Sequence, residues 1–277
     1  MKAQTNAAKL ALADAKLRQK LGLAPVLCAV AFVFTILNLA KANAAPLLAP
    51  YRANIRLDGN FKDWRGVPFV CVTPQTGVFD AEASSTSDPN DLSFRFAVCH
   101  DDDALYVAVE VRDNAVWADS TAPNNIEAPA WDDDAVEVFI DGNHNKAPDA
   151  RAEDGSELKF GGEFSIVANG AAMSNYSGFP RTFGKPDFWQ GATNWKKLRQ
   201  GKPGLIRYEF RLTWKVMGGQ VRPGDTIGFT LAAQDDDDGK GREHSFYWKA
   251  NSPHGWRNES AWGEIFLQPN LRPKARN

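Results

Sequence analysis

Leu105-Tyr106-Val107-Ala108-Val109-Glu110-Val111 places large apolar side chains, Leu105, Val107, Val109 and Val111, at every second position. Successive residues of a strand point to opposite faces, so this spacing builds a strand with one buried face. The same period recurs on both sides of it. Phe94, Phe96 and Val98 alternate before it. After it come Val136, Val138 and Ile140, then Phe164 and Ile166, then Tyr208, Phe210, Leu212 and Trp214, then Ile227, Phe229, Leu231 and Ala233. In the run Ala135 to Ile140, the alternation sets Glu137 and Phe139 on the face opposite the valines. Turn-forming clusters separate the runs: Asp101-Asp102-Asp103, Asp141-Gly142-Asn143, Pro223-Gly224-Asp225 and Asp235 to Gly239. Many short strands with such punctuation and little helical period predict an all-β fold, an antiparallel β-sandwich of jelly-roll-like form. Residues 93–99 and 104–111 read as a hairpin. Residues 73–92 and 171–203 have weak periodicity and read as long loops, which in a compact domain usually serve function.

The chain begins differently. Lys2, Lys9, Lys16, Arg18 and Lys20 precede an apolar run from Leu21 to Ala40, which ends in the small-residue pattern Ala42-Asn43-Ala44. That order is a secretory signal peptide over residues 1–44, its rival being an uncleaved membrane anchor. The sandwich is then expected over residues 45–268 and a basic, disordered tail over 269–277. The implied residence is exported, periplasmic or extracellular, with membrane contact only if the first segment is retained.

Residues 1–44 hold 6 of the 32 Lys+Arg and 1 of the 34 Asp+Glu, so the remainder carries 26 basic and 33 acidic residues, a net of −7. Such a balance argues against nucleic acid as a partner. Cys71 and Cys99 remain after Cys28 departs with the signal, and they read either as a disulfide or as two buried thiols. No nucleophile elbow, zinc-protease helix motif or phosphate loop occurs, and His100, His144, His244 and His254 lack ligand spacing. The chain is therefore read as non-catalytic.

All nine tryptophans lie beyond residue 44. Trp214 is in phase with a strand and reads as core, and Trp64 reads as sealing one end of the sandwich. Trp131, in Glu127-Ala128-Pro129-Ala130-Trp131, and Trp256, in Asn251-Ser252-Pro253-His254-Gly255-Trp256, have no apolar phase. Tryptophans on loops of a rigid sandwich suit binding, and an indole matches the flat C–H face of a pyranose. Carboxylates cluster at 101–103, 132–134 and 235–238, and Asp141, Asn143 and Asn145 offer oxygens at alternate positions. Hard oxygen donors of this kind suit Ca²⁺.

These residues occur in a recognisable order. Asp58-Gly59 with Asp63-Trp64 comes first, then Asp103 to Val111 with Asp113, then Trp131-Asp132-Asp133-Asp134-Ala135-Val136-Glu137-Val138-Phe139-Ile140-Asp141. Ile227-Gly228-Phe229 and Trp256-Arg257-Asn258-Glu259-Ser260 with Trp262-Gly263 follow. The set, spanning roughly Ile55 to Leu267, resembles carbohydrate-binding module family 9. The resemblance implies a β-sandwich with structural Ca²⁺ and a slot between two tryptophans, Trp131 and Trp256, with Glu137 at its rim. A mono- or oligosaccharide, often a chain end, would sit there in the service of carbohydrate catabolism. Two positions depart from the pattern: Ser165 stands where the best-known members carry Arg, and Pro253 where they carry Asn, with Asn251 or His254 as the nearby substitute. Asp58, Asp134, Asp141 and Asn143 are the expected metal ligands.

Two other readings compete. Related sandwiches hold b-type haem between Met and Lys, for which Met173 with Lys196 or Lys249 would serve in an electron-transfer subunit. A structural or adhesive sandwich at the cell surface would need no small ligand.

Overall fold

The computed structural model describes residues 45–270, apart from residues 124, 127–128, 151–156, 158, 176–182 and 252–253. The signal or anchor segment, Pro253 and the tail beyond residue 270 lie outside the described residues. Among the described residues no helix is long and apolar enough to cross a membrane.

The alternating stretch forms a long strand, β5, and its neighbours form twelve others. In chain order they are β1 (Leu47–Ala49), β2 (Val70–Val72), β3 (Val78–Phe79), β4 (Leu92–His100), β5 (Ala104–Asp113), β6 (Ala135–Asp141), β7 (Gly161–Val167), β8 (Ala172–Asn175), β9 (Trp189–Thr193), β10 (Gly204–Thr213), β11 (Thr226–Asp235), β12 (His244–Tyr247) and β13 (Gly263–Leu267). One sheet runs β2-β4-β5-β10-β9; the other runs β1-β13-β11-β6-β7-β8, with β12 pairing β11 and β3. All pairings are antiparallel except β1 with β13. The predicted hairpin is β4–β5, with Phe96 opposite Val109 and Val98 opposite Val107.

Alternation decides what each sheet buries. Phe96, Leu105, Val107, Val109, Tyr208 and Phe210 of one sheet pack against Val136, Val138, Phe164, Ile166, Phe229 and Leu231 of the other, all in one buried cluster. This is the sandwich core. Trp214 joins it at 7% exposure, as expected.

Trp64 is buried, but it does not seal an end. It covers the outer face of the five-stranded sheet, packed with Ile55, Val67, Ala97, Cys99, Tyr106 and Ala108. The small residues Ala97 and Ala108 face each other across β4 and β5 and leave room for the indole. Its Nε1 donates to Glu209 Oε1 at 2.8 Å, while the Asp58 and Gly59 amides donate to Glu209 Oε2 at 2.9 and 2.7 Å. Gly59 has φ +68°, and a Cβ there would meet the Thr193 carbonyl oxygen at 2.5 Å, so the turn requires glycine.

The region 171–203, read as loop, contains β8 and β9. β9 hides its period because Gly191 replaces a large side chain: Ile166 from the other sheet occupies that space, 2.1 Å from where a Cβ would lie. Cys71 and Cys99 are both free; Cys99 is buried on β4 and Cys71 is exposed on β2.

Candidate functional site

The outer face of the eight-stranded sheet carries a polar row. Register places Ser165 opposite Glu137, Glu137 opposite Ala232, and Ala232 opposite Tyr247, across β7, β6, β11 and β12. This is the face to which alternation assigned Glu137 and Phe139. The small Ala232 leaves space between Glu137 and Tyr247. Phe139, Ala232, Tyr247 and Trp262 form a small apolar floor, against which Trp256 packs.

Above that floor lies a cavity of about 290 Å³ lined by Asp80, Glu82, Trp131, Glu137, Glu163, Arg242, Tyr247 and Trp256. Trp131 sits on a single 3-10 turn, Ala130–Asp132, just before β6; Ala130 is buried as its anchor while the indole is 41% exposed. Trp256 rides the loop between β12 and β13. Gly255 lets that loop lie on the Tyr247 ring, since a Cβ there would be 3.0 Å from a ring carbon. Trp262 Nε1 donates to the Gly255 carbonyl at 2.7 Å and fixes the turn. The Arg257 guanidinium lies 5.3 Å over the Trp256 ring.

The polar lining is tied together. Gln234 Nε2 donates to Glu137 Oε2 at 2.7 Å, and Ser165 Oγ donates to Glu163 Oε1 at 2.9 Å. Arg242 reaches Gln234 Oε1 at 3.3 Å and Asp80 Oδ2 at 3.6 Å. Burial pushes Glu137 up to about 7 against the opposing pull of Arg242 and Gln234. Ser165 stands in this row, and the guanidinium in the cavity comes from Arg242, after β11.

Trp131, Trp256 and Glu137 are therefore brought to one cavity. Asn251 is not: it is exposed and does not line it. Asp80, Glu163, Arg242 and Tyr247 were not singled out from sequence. Asp80 follows β3 in a segment without period, and Arg242 follows an acidic turn that reads as metal-binding, so neither carried a signal toward this face. Met173, the candidate haem ligand, lies opposite Ser165 on β8 and does not line the tryptophan cavity. The cavity that Lys196 lines does not include Met173.

A second constellation lies where strands of both sheets end. Asp113 ends β5, Asp134 precedes β6 and Asp235 ends β11; their carboxylate oxygens lie within 4.8 Å of one another. Asp91, Asp235, Asp237 and His244 form an adjoining group. Asp113 Oδ2, both Asp235 oxygens, Asp236 Oδ2 and Asp237 Oδ1 are buried without a hydrogen-bond partner among the described residues. Buried carboxylates are otherwise paired, so orphaned oxygens converging here fit a bound cation. Burial pushes Asp113 up to about 6 and Asp235 up to about 9, with neighbouring carboxylates adding to both.

Of the expected metal ligands only Asp134 belongs to this cluster. Asp58 caps its own turn, accepting from the Asn60 amide at 2.9 Å and the Asn60 side chain at 3.0 Å. Asn143 is exposed and donates to Glu157 at 3.0 Å. Asp141 accepts from the Lys146 amide at 3.1 Å and keeps one buried oxygen without a partner, but no group of three ligands forms around it among the described residues.

The family model described as carbohydrate family 9 binding domain-like matches residues 72–270. No curated protein matches. A carbohydrate binding module family 9 from Caldicellulosiruptor kristjanssonii, solved in complex with cellotriose, is 21% identical with a TM-score of 0.58, covering 83% of this chain and 99% of that one. The module in complex with glucose is 20% identical with a TM-score of 0.59 and the same coverage. A putative carbohydrate-binding protein from Bacteroides uniformis ATCC 8492 is 11% identical with a TM-score of 0.53, over 80% of this chain and 99% of that one. At these identities the likeness is one of fold.

Proposed function

We propose, from the premise that the chain belongs to the carbohydrate family 9 binding domain-like family, that it binds a mono- or oligosaccharide without cleaving it. The carrying observation is the cavity in which Trp131, Trp256 and Glu137 meet. The indoles offer apolar surface to the C–H faces of a sugar, and Glu137, Arg242 and Tyr247 offer acceptors and donors to its hydroxyls. The solved module bound to cellotriose and glucose supports this reading. The role is capture of a sugar chain or its end in carbohydrate catabolism. Isothermal titration with glucose, xylose, cello- and xylo-oligosaccharides checks it: a saturable heat with a micromolar to millimolar Kd is expected. A folded protein that takes up none of them sinks the reading.

The same proposal includes Ca²⁺ held by Asp113, Asp134 and Asp235, with Asp91 and Asp237 beside them. Ca²⁺ takes about six to eight hard oxygen ligands, and an all-carboxylate set suits it. The bound ion would supply charge neutralisation at the strand ends. Export rests on the pattern of residues 1–44. Protein recovered from outside the cytoplasm is expected to begin at Ala45; recovery with Met1 intact in a membrane fraction supports the anchor instead.

A further inference from the structure

The other sheet also presents a groove, and its chemistry is the reverse of the acidic chain that carries it. Register sets Arg95, Glu110 and Arg207 side by side across β4, β5 and β10 on the outer face. Glu110 is nearly buried between them, accepting from Arg95 Nε at 2.8 Å and from Arg207 Nε at 2.7 Å. Each guanidinium also lies over an aromatic ring: Arg95 is 4.8 Å from the Phe69 centroid and Arg207 is 5.4 Å from that of Phe61. Both cations are thus held in place before any ligand arrives, which lowers the ordering cost of binding.

A cavity of about 800 Å³ is lined by Asn60, Phe61, Lys62, Arg65, Arg95, Lys197 and Arg207. A second, of about 410 Å³, shares Arg95 and continues to Arg112 and the exposed Leu205. Together they make one groove across the sheet, roughly 15 Å over three strand spacings. Its lining holds six cations and one carboxylate, Glu110. Residues 45–277 carry 26 basic against 33 acidic side chains, so this concentration of one sign does not follow from composition. A cleft lined by one sign of charge focuses its field on a ligand of the other.

We propose that this groove is a second carbohydrate site, one that takes a polysaccharide bearing carboxylate or sulfate groups. Guanidinium forks match those anions, and Phe61 and Leu205 supply apolar surface for the sugar rings between them. Phe61 and Leu205 offer apolar surface to sugar rings that lie between the anionic groups, whereas duplex DNA presents its phosphate backbone outward, which favours the glycan over nucleic acid.

The test uses the full protein at about 0.15 M salt, titrated with polygalacturonate, dextran sulfate, neutral dextran and duplex DNA. Polygalacturonate or dextran sulfate is expected to bind, neutral dextran not to bind at this groove, and DNA to bind at least tenfold more weakly; the two anionic arms tell carboxylate from sulfate. Arg95→Gln with Arg207→Gln is expected to weaken polyanion binding at least tenfold. Because that pair leaves Glu110 buried and unpaired, a second variant, Lys62→Gln with Arg112→Gln and Lys197→Gln, leaves the Glu110 row intact and is expected to do the same. The proposal falls if neither polyanion binds, if DNA binds as tightly as they do, or if the Lys62/Arg112/Lys197 variant binds them unchanged.

Discussion

Removing divalent cations with a chelator is expected to lower the melting temperature of this protein by about 8–16 °C, and adding Ca²⁺ back to restore it. The estimate follows from linkage. A ligand present at about a thousand times its Kd stabilises the folded state by about 4 kcal/mol. In a domain of this size each kcal/mol moves the midpoint by about 2–4 °C. The residues that make the effect large are Asp113, Asp134 and Asp235, three carboxylates within 4.8 Å of one another, all buried. Without a cation they must take up protons or repel one another in a buried site.

Asp235→Asn tells a metal site from a merely acidic one. It removes a buried carboxyl that without metal must be either ionised or protonated, and both Asp235 oxygens lack a partner among the described residues. In chelator the variant should therefore be at least as stable as the parent; in Ca²⁺ it should be less stable, because a ligand is gone. A cluster that holds no ion would show no effect of chelator, and the substitution would stabilise under both conditions. The pH dependence has a sign as well. Folded-state values of about 6 for Asp113 and about 9 for Asp235 lie above those of unfolded carboxyls, about 4. The metal-free folded chain then holds protons that the unfolded chain releases, so its stability falls as pH rises from about 4 toward 9. Bound Ca²⁺ prefers the ionised ligands and reverses that slope.

The strands were legible because each buries one face, and the period of two survives in β4, β5, β6, β10 and β11 wherever large side chains fill the core. It failed where packing is shared between sheets. Gly191 leaves a gap that Ile166 fills, so β9 has no readable alternation. The site divided in the same way. Trp131 and Trp256 stood out because neither fits an apolar phase, and Glu137 because alternation turns it away from the valine face and the family resemblance sets it at the rim. Asp80 and Arg242 gave no such sign: they reach the cavity through turns whose direction depends on strands far away in sequence. The acidic turns at Asp141 and Asp235 look alike as sequence. Only Asp235 ends its strand beside Asp113 and Asp134, and that is a property of register between sheets rather than of local composition.

Trp131→Ala is expected to weaken binding of any sugar held in the cavity by about tenfold or more while leaving stability nearly unchanged. Covering both faces of a pyranose buries on the order of 100 Å² of apolar surface, worth roughly 2.5 kcal/mol at about 25 cal/mol/Å². One indole accounts for about half, close to the 1.4 kcal/mol of a tenfold change, before the water that fills its place is counted. Because Trp131 is 41% exposed, its removal opens no hole in the core, and the melting temperature should move by no more than about 2 °C. Trp256→Ala differs in that its ring packs against the floor of Phe139, Ala232, Tyr247 and Trp262, so it should cost both affinity and stability. Trp131→Phe should keep part of the affinity, since a smaller ring still covers some of the face. Titration and thermal melts of the three variants separate these effects. If the protein binds a sugar and Trp131→Ala binds it as tightly as the parent, the tryptophan cavity is not where that sugar sits, and the binding face must be sought elsewhere on the sandwich.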